Sequence, residues 1–129
     1  MGQYTQSLFK CLTVGWLIAI IVLSLVPAEY RPETGAPHNI EHSAIFALLG
    51  ASMILGYRIR FWAWVTLGPL FAVVIEVLQL GVPGRHARLS DFLVDAGGVL
   101  LGSAFAVLSR YSYRERIIVD ACQDFKGKK

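Results

Sequence analysis

Three short segments hold the residues best suited to acid–base or ligand chemistry. Glu41 and His42 open one apolar run, Glu76 and Gln79 close the next, and Ser90, Asp91 and Asp95 open a third. Arg85, His86 and Arg88 occupy the loop between the last two runs. Ionisable groups within apolar spans are expensive and mark functional positions by default. Glu76 and Gln79 stand three residues apart and share a helix face, which Ala72 and Gly68 continue in steps of four. Asp91, Asp95, Gly98 and Gly102 likewise form one stripe, with carboxylates at one end and glycines at the other.

His42, Glu76, Asp91 and Asp95 are therefore the candidates for catalysis, since carboxylates and an imidazole can pass protons. Gln79, Arg85, Arg88 and Ser90 are candidates for ligand binding, because guanidiniums beside a helix N-terminus suit a phosphate or carboxylate. Two other readings of the same charges stay open. The arginines could neutralise Glu76, Asp91 and Asp95 as internal glue, or the acids could line a proton or ion path. Pro83-Gly84 suits a turn, and Ser90 or Asp91 suits the cap of the helix that follows. Gly98 and Gly102 make a GxxxG step that lets a neighbouring backbone approach closely, and Gly68 offers a similar packing position.

His38-Asn39-Ile40-Glu41-His42 matches the H-x-x-E-H pattern of one class of zinc peptidases. Pro37 immediately precedes it at a helix entrance, so His42 is read as a polar member of the site and His38 as an exposed loop residue. Neither a metal nor another cofactor is expected. No nucleophile–histidine–acid series or phosphate-cradling glycine loop is visible, and Ser43 points away from its neighbour His42 on a helix.

The elements that must position these residues follow from composition. The chain has 129 residues, 55% of them hydrophobic and only 16% charged, with a mean hydropathy of +0.55. A soluble domain would carry roughly 25% charged residues. The balance points to a membrane protein and away from a nucleic-acid binder, a disordered tail or a large soluble catalytic domain. Apolar runs over Cys11–Ala28, Ile40–Tyr57, Phe61–Val82 and Phe92–Tyr111 are each long enough to cross a hydrocarbon core about 30 Å thick. Only helices keep backbone groups paired there. Tyr57, Trp62, Trp64 and Tyr111 lie near the proposed ends, where interfacial aromatics belong. The first run, with Lys10 before it and Val26-Pro27-Ala28 after it, also resembles a signal peptide, but is read as a transmembrane helix.

Lys10, Arg58, Arg60 and the six basic residues of the last twenty fall on one side of a four-span bundle, nine against three for Arg31, Arg85 and Arg88 on the other. That asymmetry puts both termini in the cytoplasm and the polar ends at the opposite face. The expectation is an all-α, four-transmembrane-helix bundle, a single membrane domain over residues 1–129 in a bacterial-type inner membrane. No internal repeat or interdomain linker divides it. The basic tail over 112–129 includes a stretch from Arg114 suited to a short amphipathic helix, with Ile117, Ala121 and Phe125 on one stripe. Cys11 and Cys122 lack disulfide or metal spacing and read as reduced thiols.

The series Ile75-Glu76-Val77-Leu78-Gln79, Pro83-Gly84-Arg85, Ser90-Asp91 and Gly98-x-x-x-Gly102 resembles the VanZ-like family. His42-Ser43-Ala44-Ile45-Phe46 looks like that family's first motif, a histidine followed four positions on by an aromatic. The resemblance covers about residues 38–105. It departs from the pattern at His38-Asn39, where an acidic–basic pair is usual, and at Asp95, where an Asn is typical. It implies a small polytopic membrane protein; the family is named for a protein linked to resistance to the glycopeptide teicoplanin. The leading functional expectation is recognition or processing of an anionic, lipid-linked envelope component, a phosphate-bearing ligand among membrane lipids, at the extracytoplasmic face. The alternative is an accessory subunit packed within a larger membrane complex or a homodimer. A proton-coupled carrier ranks last, since no polar relay runs towards the other face.

Overall fold

A computed structural model describes residues 3–27, 30, 38–57, 60–82 and 88–127. Four helices follow in order: α1 (Gln3–Leu25), α2 (His38–Gly56), α3 (Phe61–Gln79) and α4 (Leu89–Gly127). Among the described residues there is no strand. Each helix is long and apolar enough to cross a membrane. The four expected spans are thus present with shifted ends. The helix α1 begins eight residues before the apolar run, because hydropathy marks what lipid accepts and not where helical hydrogen bonding starts. It ends ahead of Pro27, which disfavours helical geometry in the residue before it. The expected tail helix is a direct continuation of α4, whose 39 residues extend about 58 Å at 1.5 Å per residue. Residues 111–119 are exposed along this extension, Ile117 among them.

The most extensive packing is between α2 and α4, and glycine makes it possible. A Cβ at Gly102 would collide with the Ala47 backbone, and one at Gly98 would stand 2.5 Å from the Ser43 carbonyl oxygen. In return, Gly50 of α2 lies against the Val99 backbone and the Ser103 hydroxyl of α4. Without side chains between them, the two backbones meet directly. Gly68 seats the Val99 side chain and so brings α3 onto α4. Pro69 follows it within α3, removing the backbone hydrogen bond that would reach Val65.

Phe46, Leu49, Ile75, Val99 and Ala106 form the centre of the core, joined by Ile20 from α1. Trp64 belongs to this core, at 5% exposure, and so is not an interfacial aromatic; Trp62, 77% exposed, and Tyr111 do face outward. The helix α1 is the least enclosed, and docks on α2 through polar groups. Thr13 Oγ1 lies 2.8 Å from the Phe9 carbonyl oxygen and 3.2 Å from Ser52 Oγ, whose hydroxyl donates to the Leu49 carbonyl oxygen. At the same end, Lys10 Nζ stands 5.7 Å from the centre of the Tyr57 ring, a cation–π geometry. Arg110 of α4 donates to the Leu55 carbonyl oxygen at 3.3 Å, satisfying the C-terminal end of α2 from a neighbouring helix. Cys11 and Cys122 are free and exposed.

Candidate functional site

The polar residues of α2, α3 and α4 converge at the end of the bundle where α2 and α4 begin and α3 finishes. Helical geometry explains the convergence. His42 is in the second turn of α2, Glu76 in the last turn of α3, and Asp95 six residues into α4. The depths differ: Glu76 is about 5 Å from its helix end, and Asp95 about 9 Å from its own. The expected end of the third span at Val82 is a turn, with the Val82 amide donating to the Gln79 carbonyl oxygen at 3.0 Å.

His42 and Asp95 pair directly. His42 Nδ1 lies 3.1 Å from Asp95 Oδ1 and 3.4 Å from Oδ2. An ionised carboxylate only accepts, so against a charged Asp95 the Nδ1 nitrogen is the donor of this hydrogen bond. Asp95 is wholly buried and His42 nearly so. The glycine contact below them holds this geometry, since Gly98 and Ser43 bring the two backbones close at the positions next along the stripe.

Glu76 is 6% exposed and Gln79 4%, yet both Glu76 carboxylate oxygens and Gln79 Nε2 lack a hydrogen-bond partner among the described residues. The Glu76 carboxylate lies beside the start of α4, within electrostatic reach of the Arg88 backbone, Asp91, Asp95 and His42. Buried polar groups are nearly always paired, and each one left unpaired costs about 1–3 kcal/mol or more if charged. These orphans sit in the site itself.

The remaining expected members are peripheral. Ser90 is exposed and donates to Asp91 Oδ1 at 3.0 Å; Asp91 is partly buried. Neither caps α4 from outside, because α4 already starts at Leu89 and both lie in its first turn. There an acidic side chain still complements the positive end of the helix dipole. Arg88 is exposed at the mouth. Arg85, His86 and the Pro83-Gly84 turn lie outside the described residues, as does the His38 side chain of the H-x-x-E-H pattern. Among the described residues no group of three His, Cys, Asp or Glu side chains is placed to hold a metal.

Sequence reasoning overlooked five buried polar positions: Thr13, Ser24, Ser52, Ser103 and the Trp64 indole nitrogen. Their signal was hydroxyls or an indole inside apolar runs, which helices absorb cheaply and so rarely announce.

The sequence of this bundle has a counterpart among known families. The VanZ/LLP1 family model matches residues 6–110. The chain belongs to the VanZ/LLP1 family. The match begins within α1 and extends to Arg110, so it covers all four spans and leaves the end of α4 outside. No curated protein and no solved structure matches the chain. Family and helices together make this a multi-pass membrane protein.

Proposed function

We propose that this VanZ/LLP1 protein recognises or processes an anionic, lipid-linked component of the cell envelope at the polar end of its bundle. The observation that carries the reading is the Glu76 carboxylate and Gln79 Nε2, buried near the His42–Asp95 pair and without a hydrogen-bond partner among the described residues. A buried carboxylate and a buried amide nitrogen that find no hydrogen-bond partner among the described residues are suited to an external one. Arg88 at the mouth, with Arg85 in the adjoining loop, supplies charge for a phosphate. In this reading His42, paired with Asp95, and Glu76 are the groups that pass protons, a role supported by their burial side by side at one end of the bundle.

The nine-to-three distribution of basic residues supports an orientation with both termini in the cytoplasm. The polar end then faces outward from a bacterial-type inner membrane, within reach of envelope lipids.

Native mass spectrometry of the protein, gently extracted from its own membrane, tests the reading. A retained phosphate-bearing lipid, reduced about tenfold by Arg85→Ala or Arg88→Ala, is the expected result. Full retention in both variants, or no lipid at all, refutes it.

A second reading, an accessory subunit within a larger membrane assembly, draws on the outer faces. Gly15 on α1 and Gly97 on α4 have open space where a Cβ would stand, and α1 leaves most of its apolar surface uncovered. Release in fixed stoichiometry with other subunits and without lipid favours that role.

A further inference from the structure

Among the described residues, Asp91, Asp95 and the imidazole of His42 act on the buried Glu76 carboxylate, and Arg88 is exposed at the mouth. Asp95 is satisfied by that imidazole, and Asp91 accepts from Ser90. Neither Glu76 oxygen meets full hydrogen-bond geometry with a donor among those residues, the Arg88 backbone amide being close enough to act on the carboxylate but short of that geometry, and the side chain is only 6% exposed. An isolated buried carboxylate is among the most costly arrangements a protein can hold. A phosphate alone would worsen it, because like charges would then approach within the same low-dielectric space. What fits is the opposite charge, carried on a group with several N–H donors.

We propose that the buried acidic end receives the primary ammonium of a zwitterionic phospholipid headgroup, with Glu76 as its direct partner and Asp91 beside it. The phosphate of the same headgroup stays at the mouth with Arg88, and Gln79 Nε2 donates to an oxygen of the ligand. An ammonium offers three donors, enough to serve both Glu76 oxygens. A quaternary ammonium has the same charge and no N–H to give. The inference rests on the reading of the site as one for a phosphate-bearing lipid, and narrows phosphate-bearing lipids to those whose headgroup also carries an amine, which makes the ligand zwitterionic and not net anionic.

Purified full-length protein is titrated in detergent with three defined lipids and read by native mass spectrometry. These are phosphatidylethanolamine, phosphatidylcholine and phosphatidic acid, with matched acyl chains. Phosphatidylethanolamine is expected to be retained about tenfold over either of the others, the size of one charge-assisted hydrogen bond. Glu76→Gln keeps the shape and removes the charge, and collapses that preference to within about twofold. Asp91→Asn, at the partly open rim, serves if Glu76→Gln fails to fold, and reduces the preference by about threefold. Equal retention of all three lipids, or an undiminished preference in both variants, overturns the ammonium assignment and leaves the phosphate reading standing. Retention of none of the three overturns both.

Discussion

Replacing Gly102 by Ala tests the seam on which the candidate site is built. The added Cβ would meet the Ala47 carbonyl oxygen, carbonyl carbon and Cα, all backbone atoms of α2. No rotamer change relieves a clash with backbone, so α2 and α4 must separate. Overpacking of this kind costs about 1–3 kcal/mol. Ala is about 1 kcal/mol better than Gly within a helix, which offsets part of that. The expected net loss is therefore about 0–2 kcal/mol for G102A, and larger for Gly102→Leu, whose extra methylenes have nowhere to go. Gly97→Ala is the internal control: it lies on the same helix with nothing within 4 Å of the place its Cβ would take, and gains the propensity term alone. The assay is SDS-induced unfolding of the purified protein in mixed micelles, followed by tryptophan fluorescence, with the three variants ranked. The order expected from most to least stable is G97A, G102A, G102L. Should G102L match G97A, the backbone contact does not bear on stability and the packing argument fails.

Removing His42 strands a fully buried carboxylate at Asp95. His42→Ala is expected to cost about 3–5 kcal/mol, and adding Asp95→Asn to recover part of that by removing the charge; strict additivity of the two changes would show that the pair is not coupled. Cys122, free and exposed on the extension of α4, reports orientation. In intact cells a membrane-impermeant maleimide is expected to leave it unmodified until the membrane is permeabilised, and immediate labelling would place the C-terminal end outside.

Much of the architecture was legible in the residues because transmembrane helices obey a one-dimensional rule: an apolar run of sufficient length has only one stable state in lipid. The four runs correspond to α1 through α4. Helix ends were less legible. Gln3 to Lys10 is helical, but polar residues outside the hydrocarbon belong equally to helix or loop when read by hydropathy; the tail from Arg114 was legible as a helix, though not as an unbroken continuation of α4. Trp64 shows a related limit, since its position near a span end suggested the interface while packing buried it in the core.

For the site, spacing along each helix is enough to place Glu76 with Gln79, and Asp91 with Asp95, on shared faces. What spacing could not say is which face meets which. That His42 pairs with Asp95 and not Glu76 depends on the rotation of α2 against α4, set by Gly98 within a turn of Asp95 and by Gly50 and Gly102 about two turns away. The same rotation leaves Glu76 without a partner among the described residues. Local periodicity is a property of one chain segment and is written in its order of residues. The pairing of one buried charge and the isolation of another arise only when three helices share a core, because the rotation of each is chosen by the close packing of all.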